Sequence, residues 1–178
     1  MRAEVLGPVR LRRDDADVAF PGGQVGRLLQ RLLLRPNVAR SSAELCAALW
    51  PDTPHDVAAR RRLHVVVSRL RAFLAPLAVD ATAGGYSLRV SAADLDRVAF
   101  EHAAQHALDR HDPERASSAL ELWRGHPYEG FPISSEVQAE VALLDEVRER
   151  ARIRVPSARL YLRMPPAQTK APARAATT

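Results

Sequence analysis

The chain has 178 residues, 47% of them apolar and 26% charged, with a formal net charge of +5. That is the make-up of a globular protein with room for one ordinary domain and part of a second. No apolar run approaches the roughly 20 residues of a membrane helix, and the opening MRAEVLGPVR lacks the apolar core of a secretory leader, so a cytoplasmic protein away from the membrane is expected. The lone Cys46 excludes a disulfide within the chain and, inside the apolar SAELCAALW, reads as a buried thiol.

Charge is distributed unevenly. Residues 1–90 carry 14 Arg against 8 Asp and Glu, a net +6; residues 91–155 carry 8 Arg against 13 acids, a net −5; the remainder adds +4. The asymmetry suggests that the first part meets a polyanion while the second has another task. There are 25 Arg and one Lys, Lys170, a bias that fits genomic base composition and makes arginine excess weak evidence by itself.

RAEVLGPVRLRRDDADVAF alternates short apolar runs with GP and DD breaks, which predicts two or three short strands. In QVGRLLQRLLLRPN, Val25, Leu28, Leu29, Leu32 and Leu33 recur at helical spacing until Pro36-Asn37. A second helix follows in SSAELCAALW, where Ser41 and Glu44 have capping-box spacing, and it stops at Trp50-Pro51. A third is expected from near Pro54 to about Leu74. LAVDATAGGYSLRV then reads as a hairpin around Ala83-Gly84-Gly85. From Asp94 the texture becomes a helical array with short loops, resembling tetratricopeptide-like helix pairs, and the Pro/Ala/Thr-rich end is expected to be disordered.

The third helix contains RRRLHVVVSRLR, with five arginines and a histidine. At about 100° per residue, Leu63, Val67, Leu70 and Leu74 form one stripe, widened by Val66 and Phe73. Arg61, Arg62, Val65, Ser68, Arg69 and Ala72 fall opposite, flanked by Arg60, His64 and Arg71. An arginine-bearing outer face is also what any solvated helix of an Arg-rich protein would show. Two features favour a polyanion: no acid occurs between Val57 and Pro76, and small residues between the cations permit close approach to base edges. A helix after a short helix and before a glycine hairpin has the layout of a winged helix-turn-helix.

In order, LGPVRL, QVGRLLQRLLLRPN, ELCAALWPDTP, VVVSRLRAFL and AGGYSLRV resemble the OmpR/PhoB-type winged helix of the Streptomyces antibiotic regulatory protein (SARP) family. DLDRVAFEHAAQHAL, DPERASSALELWRGHPYEGF and QAEVALLDEVRERA resemble the bacterial transcriptional activation domain that follows it there, so the likeness covers about residues 2 to 152. The implied fold is mainly α with small β-sheets: a winged-helix DNA-binding domain over 1–91, a partial tetratricopeptide-like activation domain over 92–154, and a tail over 155–178.

The resemblance implies an activator, often of antibiotic biosynthesis, that binds direct repeats in promoter DNA, pairs with a second copy there, and recruits RNA polymerase or its sigma factor in the nucleoid. Arg62, Val65 and Arg69 match the base-reading face, with Ser68 between them, while Arg60, Arg61 and Arg71 match phosphate contacts. Ser41 and Ser42, and the wing around Gly84, Gly85 and Tyr86, are further backbone contacts, with Tyr86 alternatively packed on the core. The family's wing often has a polar residue or arginine where Ala83 stands, leaving Arg89 as the substitute from the strand. The polymerase-contact loop corresponds to Trp50, Pro51, Asp52, Thr53 and Pro54, where Trp50 also suits packing. Because the likeness fades after Arg152, short of the family's remaining helices, a DNA-binding repressor or competitor is the second reading and a protein-binding helical adaptor the third.

No enzyme is expected. GGQVG lacks the lysine of a phosphate-binding loop, and His102, His106 and His111 have no accompanying carboxylate motif, so neither cofactor nor metal is anticipated. Asp94 and Asp96 read as capping and first-turn residues of a helix.

Overall fold

A computed structural model describes residues 1–54 and 56–154; the expected disordered tail from 155 on lies outside the described residues. The first sheet contains β1 (Arg2–Glu4), β2 (Arg10–Arg13) and β3 (Ala16–Val18), antiparallel in that order. The DD break becomes its tight second turn, with Asp14 and Asp15 at φ 50° and 64°, a conformation that aspartate tolerates.

Helix α1 (Gly23–Leu34) buries Leu28, Leu29 and Leu32 through Leu34. Strand β4 (Arg40–Ser41) leads directly into α2 (Ser42–Leu49). Ser41 Oγ accepts from the Glu44 N–H at 3.1 Å, and Glu44 accepts from the Ser41 N–H at 2.9 Å, completing the predicted box. Helix α3 (Val57–Leu74) ends where expected but starts three residues after Pro54. The reason is Asp56, whose carboxylate caps the Ala59 N–H at 2.8 Å, leaving Pro54 in the preceding loop. Hairpin β5 (Ala78–Thr82) and β6 (Gly85–Arg89) follows, and β4 joins it in the order β4-β6-β5. The sequence pattern did not reveal that third strand, which is only two residues long.

Three more helices, α4 (Asp96–Arg110), α5 (Pro113–Leu120) and α6 (Ser135–Arg154), complete a mainly helical chain with two small antiparallel sheets. Pro113 opens α5 behind the Asp112 cap, as its fixed φ favours. None of the described helices is long and apolar enough to cross a membrane.

One continuous cluster of buried side chains runs from Ala3 and Leu6 through α1, α3 and β6 to Phe100, Tyr128 and Ala151. Two polar connections hold its halves together. The first is Asp96, which does more than occupy the first turn of α4: its carboxylate is buried and accepts the Val5 and Leu6 N–H groups at 2.7 and 3.1 Å. Burial raises the Asp96 pKa, against the pull of those two N–H donors and of Arg124. Close by, the Ala3 N–H donates to Asp94 O at 2.8 Å, and the Arg124 and Tyr128 N–H groups donate to Leu6 O and Val5 O, each at 2.7 Å. The amino-terminal segment is thus sewn to residues some ninety and more positions away.

The second connection runs along α6. Glu136 bridges Arg31 of α1 and Arg40 of β4, while Glu140 takes Arg35 Nε at 2.6 Å and Arg97 Nη2 at 3.1 Å. Arg97 is itself buried and also bonds Glu101, the Tyr128 hydroxyl and Leu34 O. Burial works against its charge, yet Tyr128 and Glu101 beside it hold its pKa above the ordinary value. Part of the charge asymmetry along the chain is therefore neutralised within the fold.

Candidate nucleic-acid interface

Helix α3 turns as its periodicity demands. Leu63, Val66, Val67, Leu70 and Leu74 are buried, while Arg60, Arg61, Arg62, His64, Ser68, Arg69, Arg71 and Ala72 are exposed. Val65 lies among them with 52% of its surface open, a large apolar side chain in the middle of a cationic face. Arg31, Arg35, Arg40 and Arg97 form salt bridges to carboxylates; Arg60, Arg61, Arg62 and Arg69 form none among the described residues. The helix is held down by apolar contacts and its Asp56 cap, and the Ala59 N–H, helped by the Arg62 charge, lowers the Asp56 pKa; the outward cations make no close ion pair among the described residues.

Arg71 is partly committed elsewhere. Its Nε donates to Val79 O of β5 at 2.8 Å, bracing α3 against the hairpin. The hairpin turn, Ala83-Gly84, is exposed beside the start of α2, where Gly84 O accepts the Ser42 N–H at 2.8 Å. That amide, expected to be open to a phosphate, already has a partner, and the Ser41 hydroxyl is engaged in the capping box.

Gly85 and Tyr86 differ from their expected role as contacts at the wing surface. Gly85 is buried because β6 runs against β4 there; a Cβ would stand 1.7 Å from Arg40 O, so only glycine fits. Tyr86 is 4% exposed, and its hydroxyl lies 2.6 Å from His64 Nδ1. The alternative of a packed tyrosine is the one the structure adopts. Arg89 pairs with Ala78 at the end of the hairpin away from the turn and is ion-paired to Asp80 at 2.5 Å, so it does not replace an arginine at the tip.

Ser42, Ala43, Arg60, His64, Ala83 and Gly84 help to line an open hollow of about 540 Å³ between α2, α3 and the hairpin. Cys46 forms part of its floor, buried as expected, and burial raises its thiol pKa. In the adjoining loop, Trp50 is half-buried and its N–H closes α2 onto Cys46 O at 2.8 Å, whereas Pro51, Asp52 and Pro54 are exposed and Thr53 is half-buried. His102 and His106 are exposed on α4, and His111 ends that helix at φ 53°. Among the described residues, no group of three His, Cys, Asp or Glu is arranged to hold a metal ion.

Residues 93–169 match the family described as bacterial transcriptional activator domain, past Arg152, where likeness was expected to fade. The regulatory protein AfsR of Streptomyces coelicolor is 35% identical over 140 residues, 74% of this chain and 14% of AfsR. AfsR of Streptomyces griseus is 30% identical over 139 residues, with the same shares. Among solved structures, Mycobacterium tuberculosis EmbR, determined in complex with a low affinity phosphopeptide, aligns with a TM-score of 0.66 at 25% identity, covering 85% of this chain and 43% of that one. In this chain a basic helical face beside a small sheet precedes the matched domain. The matched domain and the two AfsR proteins support the resemblance to the Streptomyces antibiotic regulatory protein family, and the chain spans about 14% of the length of the curated relatives it matches.

Proposed function

We propose that the protein is a sequence-specific DNA-binding activator, with a winged helix-turn-helix over 1–91 and a tetratricopeptide-like activation domain over 92–154. In this reading α3 enters the major groove. Arg62 and Arg69 fork onto guanine edges, Val65 meets a thymine methyl, and Ser68 allows close approach. Arg60 and Arg61 take phosphates, as do the Nη groups of Arg71, while the Ala83-Gly84 turn lies along the neighbouring backbone. The exposed part of the loop, Pro51, Asp52 and Pro54, is the surface offered to RNA polymerase or its sigma factor, and two copies sit on direct repeats in promoters of antibiotic biosynthesis.

The observation that supports this reading best is the clustering on one outer helix face: Arg60, Arg61, Arg62 and Arg69 are exposed around the open Val65 side chain, and none of them forms a salt bridge among the described residues. Clustered like charges repel unless a polyanion compensates them, and the chain supplies no acid between Val57 and Pro76. The test is duplex binding as a function of salt, joined to runoff transcription from a bound promoter. Affinity is expected to fall steeply with salt as phosphate neutralisation releases counterions, and transcripts to rise. Binding indifferent to salt would refute the assignment, and reduced transcription from a bound promoter would identify a repressor instead.

A further inference from the structure

The His64–Tyr86 pair was not part of the expected contact set, and its geometry is specific. His64 lies four residues after Arg60, so both project from the same side of α3, and both line the hollow beside the start of α2 and the hairpin turn. Beneath it, Tyr86 is buried with its hydroxyl 2.6 Å from Nδ1, and the rings meet edge to face at 84° with centroids 5.9 Å apart. Nδ1 is the phenol's one hydrogen-bond partner among the described residues.

A buried phenol without an acceptor would carry a desolvation cost, so the O–H donates and Nδ1 accepts. Burial also raises the Tyr86 pKa and keeps that proton in place. With Nδ1 accepting, the neutral imidazole carries its hydrogen on Nε2, and the two ring nitrogens diverge. Tyr86 therefore fixes both the tautomer and the orientation of an exposed ring.

We infer that His64, positioned by Tyr86, is a hydrogen-bond donor to a DNA backbone phosphodiester seated in the hollow, with Arg60 supplying the adjacent positive charge. This rests on the DNA-binding reading and adds to it a neutral contact that base recognition does not require. It also gives the buried Tyr86 a positioning role in place of direct contact. The ligand is a phosphate rather than a base because His64 flanks the outward face, next to the turn and α2, instead of sitting at the centre with Val65 and Ser68.

The test uses the full chain and a mixed-sequence duplex, since phosphate contacts are blind to sequence. His64→Ala is expected to weaken binding about tenfold, the scale of a hydrogen bond to a charged acceptor, without changing the salt slope, because a neutral donor releases no counterion. Arg60→Ala should instead lower that slope by about one. Tyr86→Phe keeps the ring and should weaken binding about threefold, with no further loss in the double variant beyond that of His64→Ala. His64→Gln, which keeps a donor near the Nε2 position, should restore part of the affinity. Unchanged binding by His64→Ala, or additive losses in the double variant, would overturn the inference while leaving DNA binding intact. Failure of the unmodified chain to bind duplex would overturn both.

Discussion

Replacing Glu140 by alanine tests the connection between the basic half of the fold and α6. Its carboxylate is 3% exposed and holds two arginines of different character: Arg35, half of whose side chain is open to solvent, and Arg97, only 10% exposed. The Arg35 half is expected to contribute no more than about 1 kcal/mol, the range of solvent-screened pairs. The Arg97 half dominates, since removing one partner of a buried pair costs about 3–5 kcal/mol by leaving a buried charge.

Arg97 keeps Glu101, the Tyr128 hydroxyl and Leu34 O after the substitution, which favours the lower end of that range. Alanine's helix propensity returns a few tenths of a kcal/mol. The expected loss is therefore about 3 kcal/mol, or about 6–12 °C in Tm for a chain of this size. Urea titration of the unmodified chain, Glu140→Ala and Glu136→Ala gives the comparison. Glu136 is more exposed, so its loss should be near 1 kcal/mol. A cost for Glu140→Ala below about 1 kcal/mol, or no larger than that of Glu136→Ala, would show that Arg97 does not depend on the pair.

Three further outcomes are expected. Arg69→Ala should cost about 1–3 kcal/mol of binding and relax preference at one base position; equal affinity in a gel-shift titration on a promoter repeat would remove it from the base-reading set. Gly85→Ala should destabilise markedly, because the added carbon meets the Arg40 carbonyl, whereas Gly84→Ala meets nothing within 4 Å and should stay within about 0.5 kcal/mol; equal melting temperatures for the two variants would contradict the packing described. Glu136 is partly desolvated, which raises its pKa, but Arg40 and Arg31 outweigh this and lower it. Its folded pKa thus lies below the unfolded one, so its stabilisation is present above the unfolded value and lost as pH falls through the folded value. Glu136→Gln should flatten the acid limb of a Tm-versus-pH curve, and an unchanged limb would argue against the bridge.

Local grammar carried much of the fold into view. The Ser41–Glu44 box depends on residues three apart, and the buried stripe of α3 on spacings of three and four, so both can be read from a short window. Asp56 was equally local, but Pro54 offered a competing start and drew the boundary forward. The hydrogen bonds from Val5 and Leu6 to Asp96 and the pairs of Arg31, Arg35 and Arg40 with α6 are different in kind. They join residues about 90 to 105 positions apart and leave no periodic mark. Their one trace was the opposite charge of the two halves, which also arises when one half meets an external polyanion; the fold uses part of that charge internally and leaves the α3 part exposed. Tyr86 shows the same limit, since AGGYSLRV marks a hairpin without revealing which of its faces lies against α3.

The Val5–Asp96 connection also governs the order in which the protein can be completed. Residues 3 to 6 pair in part with β2 nearby, yet their further partners Asp94, Asp96, Arg124 and Tyr128 come much later in the chain. During synthesis α1 to α3 and the hairpin can collapse around their own leucines while this segment waits for a further stretch of chain. Such closure over long sequence separation is slow, and these backbone groups lack their distant partners until the helical half arrives. A chain folded this way completes the contacts of β1 and the loop after it only once the helical half has been made.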